Sequence, residues 1–362
     1  MRRINVSRLK AGMTLAKPIY ANNGVILLRE GTKLTQHYID KIQFLQLPYI
    51  YIVDDISRGI EIEEIISDET KIETRKALSD SIAKMQKGYF NVNEEIAAKV
   101  EEIINEVVKS PRVMMSVQEI RNKDEYLYMH SINVCVLSLL IAKKKGYNDT
   151  QLKHLAMGAL LHDIGKTKIS EIEPTRYRED YSDKEFNFYK EHVRLGYETI
   201  KEIPNSSLLA ANVALTHHEN YDGTGFPIGK KNDSIHEFSR IVSIANEYDN
   251  LVYNRKEEER LRHYEIIELI VSRAYSWFDP EIVRIFRSSV SPYPIGSGVE
   301  LNDGRRGIVS RLNENLATRP VVRVVDPTDL SRVLEEIDLS KNLSVMITDE
   351  VDIDEFSKNT YQ

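Results

Sequence analysis

The stretch Leu160-Leu161-His162-Asp163-Ile164-Gly165-Lys166 sets an imidazole and a carboxylate side by side at the end of an apolar segment. A neighbouring His and Asp can ligate two different metal ions, with the carboxylate bridging both. Taken alone, the pair also fits an ordinary histidine with a carboxylate orienting it. The other histidines change that balance. Of nine in the chain, five fall at His130, His162, His192, His217 and His218, each near the start or end of a predicted helix. With Asp163 they make six nitrogen and oxygen donors of the kind that hold borderline divalent ions. Cysteine cannot build a thiolate cage, because Cys135 is the one cysteine. The residues favour a metal site.

Helices must carry these donors. Leu152, Leu155, Ala156 and Ala159 recur at helical spacing and bring the His-Asp pair to a helix end, where Gly165 offers the flexible backbone that C-termini favour. A helix from about Glu125 to Lys145 holds His130 near its start and an apolar face through Val134, Leu137 and Ile141. Ser182-Asp183-Lys184-Glu185 is a capping box opening the next helix. Phe186, Tyr189, Val193 and Tyr197 form its core stripe, with His192 beside it. A further helix from about Ser206 ends at His217-His218-Glu219 and enters the Gly- and Pro-shaped loop Asp222-Gly223-Thr224-Gly225-Phe226-Pro227. Ser239 is expected to open a helix containing Ile241, Val242, Ala245, Asn246, Asp249 and Val252.

The chain has 362 residues, enough for two or three domains, and 41% hydrophobic with 29% charged residues is ordinary globular composition. A net charge of −7 argues against binding a nucleic acid polymer, whose footprint is a basic face. It leaves room for one small anionic ligand beside a metal cluster. A single cysteine fits a reducing cytoplasm. The longest apolar run, near Leu137 to Ala142, is too short to span a bilayer, so no membrane association is expected.

The predicted organisation has four parts. Residues 1–75 form a small α/β unit with a hairpin at Asn23-Gly24, a helix from about Gln36 to Leu45 and a strand from Tyr49 to Val53. Residues 76–112 are a helical connector whose stripe of Ile82, Ile96, Val100, Ile103, Ile104 and Val107 serves either a homodimer or the next domain of the same chain. Residues 113–288 are all-helical and carry the chemistry. Residues 289–362, punctuated by Gly296, Gly298, Gly304 and Gly307, form a small β domain.

The order His130, His162-Asp163-Ile-Gly-Lys166, His192, His217-His218-Glu219, Asp222-Gly-Thr-Gly225-Phe226-Pro227, then Arg240-Ile-Val and Tyr248-Asp249 resembles the HD-GYP phosphodiesterases, a branch of the HD superfamily. The resemblance covers about residues 113 to 280. It implies a mainly α, HD-type metal-dependent phosphohydrolase that cleaves cyclic di-GMP to the linear dinucleotide or on to GMP. It implies a cluster of two or three divalent ions, iron or manganese, held by His130, His162, Asp163, His192, His217 and His218, with Asp163 as bridge; Tyr126, where three-metal members carry a glutamate, favours two. Two metals so bridged generate a hydroxide near neutral pH and steady charge developing on phosphorus. Lys166 matches a lysine that reaches the substrate phosphate, and Arg255 an arginine that contacts the substrate. The loop residues Asp222, Gly225 and Phe226 fall in the family's substrate-binding signature. Asp124 matches an aspartate near the cluster.

The chain also departs from the family pattern. The last metal-ligand aspartate, nine residues before Arg255, falls on Asn246. A neutral amide is a poorer ligand than a carboxylate, and Asp249, one turn away, is a candidate substitute. The signature tyrosine is Phe226, a second basic contact falls on Glu258, and Tyr126 stands where three-metal members have glutamate. Glu173-Pro174-Thr175 replaces the usual Lys-Pro-Gly segment. The intact histidines favour an enzyme. Asn246, Phe226 and Glu258 favour a receptor that keeps the fold, binds a cyclic dinucleotide and signals through the flanking domains.

Overall fold

The computed structural model describes residues 1–20, 26–45, 47, 49–62, 64–110, 126–169, 180–253, 261–313, 316–329 and 331–353. In the N-terminal unit, strands β1 (Arg2–Asn5), β2 (Thr14–Leu15) and β5 (Tyr49–Val53) form an antiparallel sheet in the order β1-β5-β2. Strands β3 (Ile19–Tyr20) and β4 (Ile26–Leu28) pair as the expected hairpin, whose Asn23-Gly24 tip lies outside the described residues. Helix α1 (Gln36–Phe44), capped by the Thr35 hydroxyl, covers the sheet with Ile39 and Ile42.

Helices α2 (Asp68–Gln86) and α3 (Asn93–Lys109) follow. The expected boundary near residue 75 falls inside α2. Ile96, Val100, Ile103, Ile104 and Val107 lie on one face of α3, and all are buried in the same apolar cluster as the helices that follow. The stripe on the connector is therefore covered by its own chain. Lys143 ties this packing down by donating to Val107 O and Val108 O, both at 3.1 Å, and Ser110 O at 2.9 Å, which satisfies carbonyls left open at the end of α3.

Helix α4 (Tyr126–Lys145) is apolar on nearly all sides, which suits a helix at the centre of a bundle. By length and composition it is the one described helix able to cross a membrane, yet 78% of that window is buried within the protein. It packs among α2, α3, α5 (Asp149–Leu161), α8 (Glu237–Tyr253) and α10 (Pro280–Arg287), with α6 (Asp183–Glu202), α7 (Leu208–Thr216) and α9 (His263–Ser272) completing the bundle. Capping boxes open α5 (Asn148, Gln151) and α6 (Ser182, Glu185). Helix α8 starts at Glu237, two residues ahead of the expected Ser239, whose buried hydroxyl instead meets Thr216 Oγ at 2.8 Å.

The C-terminal sheet is antiparallel in the order β10-β6-β7-β8-β9, from β6 (Gly298–Leu301), β7 (Arg306–Arg311), β8 (Val321–Val325), β9 (Val333–Asp338) and β10 (Ile347–Glu350). One apolar cluster joins Tyr51, Ile56, Ile60 and Ile62 of the N-terminal unit to Ile295, Ile308, Val325 and Ile353. The two ends of the chain thus share a core, an association across sequence that local patterning does not signal.

Glu350 links all three parts. Its buried carboxylate pairs with Arg3 of β1 and lies 3.5 Å from His263 Nδ1 of α9. Burial raises such a carboxyl, but the Arg3 and His263 charges outweigh it and hold the group at about 2, against an ordinary 4.5. A depressed carboxyl stabilises the fold above its unfolded value and loses that contribution as pH falls through the folded one. Denaturant melts of Glu350→Gln should therefore lose the part of the acid limb between about pH 4.5 and 2, a difference of about 3 kcal/mol at most. Equal pH slopes in the two proteins would show that Glu350 is not the group responsible.

Candidate metal centre

Four helices converge on Asp163. Helix α4 supplies His130, the end of α5 supplies His162 and Asp163, α6 supplies His192, and the end of α7 supplies His217 and His218. His130, His162, Asp163, His192 and His217 have no exposed surface. Each carboxylate oxygen faces its own pair of imidazoles. Oδ2 lies 3.5 Å from His130 Nε2 and 3.4 Å from His162 Nε2, while Oδ1 lies 3.4 Å from His192 Nε2 and 3.6 Å from His217 Nε2. Donor atoms of Asp163, His192, His217 and His218 form one group within 4.8 Å of one another, and those of His130, His162 and Asp163 form a second.

The rings are fixed from behind. His162 Nδ1 meets Ala159 O at 2.8 Å, His192 Nδ1 meets Tyr189 O at 2.5 Å, and His217 Nδ1 meets Ala214 O at 3.0 Å. A carbonyl only accepts, so each Nδ1 carries the proton and each Nε2 turns a lone pair inward. Burial pushes the His162 imidazole down to about 4 and His192 to about 3, which keeps both neutral near pH 7. On His130, burial is outweighed by hydrogen bonds to Asp163 and Asp249, so its imidazole titrates above the ordinary range.

This donor set fits a pair of cations. His162 Nε2 and His130 Nε2 stand 3.2 Å apart. Two nitrogens each bound at 2.0–2.1 Å to one ion, at right to tetrahedral angles, would be about 2.9–3.4 Å apart. Asp163 Oδ1, His192 Nε2 and His217 Nε2 are buried without a hydrogen-bond partner among the described residues. Such orphaned donors are costly unless something binds them. Asp163 stays well below the ordinary carboxyl range: burial opposes ionisation, but the Lys166 ammonium, 2.6 Å from Oδ2, prevails.

Backbone fit shapes the centre. Gly165 does not serve as a left-handed helix cap, since it is absent from the positive-φ glycines. It sits in the short 3₁₀ turn Ile164–Lys168 that presses against α6, where a Cβ would run into the His192 carbonyl and stand 2.6 Å from Gly196 N. Gly165→Ala should push the Asp163 turn away from His192, lowering Mn²⁺ affinity along with thermal stability. Calorimetric titration with Mn²⁺ reads the first and a melt the second, and unchanged affinity would mean that the turn yields without moving Asp163.

The loop after α7 folds back over the site. Buried Glu219 accepts from the backbone N–H groups of Ile228 (2.8 Å), Gly229 (3.0 Å) and Lys230 (3.0 Å). Asp222 Oδ1 accepts from Thr224 N (2.9 Å) and Thr224 Oγ (2.7 Å), so this carboxylate shapes its own turn. Gly225 sits against the backbone of Asn220 and His218, leaving no room for a side chain. Phe226 stacks on His218, ring centroids 4.7 Å apart and 17° from parallel.

Other expected positions fall differently. Asp249 does not replace the missing carboxylate, because it sits behind the first layer of donors. Its Oδ2 meets His130 Nδ1 at 2.7 Å and its Oδ1 accepts from Asn133 at 3.1 Å. Asn246, buried on α8, accepts from Asn250 Nδ2 at 3.0 Å. Phe186 and Tyr189 are not core residues as the α6 stripe suggests. Val193 is fully buried, but Phe186 and Tyr189 are half-buried, with ring contacts to Phe226 and to His192 and His218 respectively. Apolar periodicity marks a face as covered without saying whether core or a site covers it. Asp124, Arg255, Glu258 and Glu173-Pro174-Thr175 lie outside the described residues.

A helical core that gathers histidines around one aspartate defines an HD-type domain, and the chain belongs to the HD domain family, which matches residues 92–282. A KOW domain associated with the HD domain matches residues 298–359. A cyclic di-GMP phosphodiesterase of Pseudomonas aeruginosa is 31% identical over 231 residues, 62% of this chain and 54% of that protein. A cyclic di-GMP phosphodiesterase of Borreliella burgdorferi is 26% identical over 219 residues, 58% and 56% of the two chains. The chain spans about half the length of these curated relatives. The solved structure of a HDG"Y"P protein from Bdellovibrio bacteriovorus superposes with a TM-score of 0.56 at 18% identity, covering 79% of this chain and 97% of that one, and shows the same fold. These matches fit the HD-GYP type expected from the motif order.

Proposed function

We propose that the chain is a metal-dependent phosphodiesterase of the bacterial cytoplasm that hydrolyses cyclic di-GMP to linear pGpG, GMP or both. The observation that carries this reading is the Asp163 carboxylate, each of whose oxygens faces a separate histidine pair. The relatives above bear the same activity in their names. His130 and His162 would hold one ion and His192, His217 and His218 the other, with Asp163 between them and iron or manganese as occupants. Such ions supply Lewis acidity toward a phosphoryl oxygen and lower the pKa of water. The protein's own part is to keep the Nε2 lone pairs of His162, His192 and His217 aimed inward, exclude solvent from Asp163 and offer the Lys166 ammonium to a phosphate oxygen. Arg255, Asp222, Gly225 and Phe226 would contact or shape the substrate, with Asp124 beside the cluster. A homodimer through α2 and α3 would use their exposed faces, since their apolar stripes are already covered.

Anaerobically purified protein, loaded with iron or manganese, should retain at least two ions per chain and hydrolyse cyclic di-GMP. Fewer than one ion per chain would refute the metal assignment. Lys166→Met should keep its ions, because a protonated lysine has no lone pair to give a metal and its ammonium competes for Asp163 Oδ2. It should lose about 10- to 100-fold in kcat/KM, the worth of one charge-assisted hydrogen bond. Loss of metal in parallel would make its role structural.

A specific observation supports the receptor as a second reading: the Asn246 carbonyl, at the position of the missing carboxylate, is already engaged by Asn250. Calorimetric binding of cyclic di-GMP with no hydrolysis by metal-loaded protein would favour it.

A further inference from the structure

The histidines of the centre are not all held alike. His130, His162, His192 and His217 are fixed by a carboxylate or a backbone carbonyl. His218 is contacted by the hydroxyl of a tyrosine, with Tyr189 Oη 3.3 Å from its Nε2. The same side chain lies close to two other members of the site. The Lys166 ammonium is 5.2 Å from its ring centroid, and the His192 ring centroid is 4.6 Å away. Tyr189 thus stands where the second donor group, Asp163 with His192, His217 and His218, meets the lysine expected to reach phosphate.

We propose that Tyr189 is a positioning residue: its hydroxyl accepts from His218 Nε2–H and so leaves His218 Nδ1 for the second ion, and its ring holds the Lys166 ammonium on the substrate side of Asp163. The inference rests on the two-ion reading above and adds a division of labour within it. A hydroxyl bond is a softer restraint than the paired carboxylate at His130, so the ion that His218 serves depends on Tyr189 more than its neighbour does. The half-buried phenol makes its ring contacts with His192 and His218 of the second donor group, and none with His130 or His162 among the described residues.

The two effects separate by substitution. Tyr189→Phe keeps the ring beside Lys166 and removes only the hydroxyl. It should weaken the second of two Mn²⁺ binding steps about 10-fold and leave the first unchanged, while loss of the hydroxyl's own hydrogen bond to Lys166 should raise KM for cyclic di-GMP by less than Tyr189→Leu does. Tyr189→Leu removes the ring as well and should add a rise in KM, since the ammonium loses its neighbouring face. Isothermal titration with Mn²⁺ reads the ion steps without any need for catalysis, and a thermal melt reports the fold. If both ion steps weaken together with the melting temperature, or if Tyr189→Phe leaves both steps unchanged, the assignment is wrong. A parent that binds two ions, fails to hydrolyse any cyclic dinucleotide, and still loses only its second ion in Tyr189→Phe would overturn the proposed activity and leave this inference standing.

Discussion

Asp163→Ala is expected to lose both ions together and to abolish measurable hydrolysis. The carboxylate offers one oxygen to each histidine pair, so no single-ion state keeps a full donor set without it. The loss should exceed the about 10- to 100-fold typical of removing a partner behind the ligands. The variant also strands a cation, since the buried Lys166 ammonium pairs with Asp163 at 2.6 Å. Breaking one side of a buried pair costs about 3–5 kcal/mol, so a lower melting temperature should accompany the metal loss. Asp163→Ala combined with Lys166→Met removes both charges. It should recover most of the melting temperature while remaining free of metal and inactive. Retention of one ion per chain in either variant would mean that Asp163 serves one ion and does not bridge two.

The parts of this protein that were legible in its sequence are those fixed by neighbours along the chain. Strand β5 spans the expected Tyr49 to Val53, and the Ser182 box opens α6 as read, because alternation and capping depend on a few adjacent residues. The donor histidines were legible for another reason. Histidine is scarce in this chain, and five of nine gathered at helix ends is hard to explain by packing. What failed depended on which way a side chain turns. Asp249 shares a helix face with Asn246, and spacing alone allowed it to be a ligand; the fold rotates it onto the rear nitrogen of His130. Gly165 sits where a helix ends, yet its small size serves the close approach of α6. Phe186 and Tyr189 carry the apolar signature of a core, although their neighbours are site residues brought in from a distant loop. The shared core of the two chain ends, from Tyr51 to Ile353, has no local cause and so left no local trace.

Position 246 decides between enzyme and receptor, and Asn246→Asp is expected to raise both metal affinity and hydrolysis by about 10- to 100-fold. Asn246 is buried, so a charge placed there is not screened by solvent. The amide oxygen accepts from Asn250 Nδ2 at 3.0 Å, Asn250 Oδ1 accepts from Tyr126 at 2.6 Å, and the Tyr126 ring stacks on His130 at 5.3 Å. An aspartate preserves the acceptor that Asn250 needs and adds a second, charged oxygen, so the network survives the exchange. Asp249 cannot already fill the vacancy, since both its oxygens are engaged by His130 and Asn133. Asn246→Ala should therefore leave metal content as it is and cost about 1 kcal/mol for the lost hydrogen bond. In an Asp163→Ala background the gain from Asn246→Asp should vanish, because a restored ligand then has no cluster to complete. Without cations beside it the new carboxylate is a buried charge, so Asn246→Asp should lower the melting temperature of metal-free protein and raise that of Mn²⁺-loaded protein. That reversal is the sharpest measurement, because it needs no turnover. A variant equally stabilised or equally destabilised with and without Mn²⁺ would show that position 246 does not reach the ions, and the receptor reading would gain the ground.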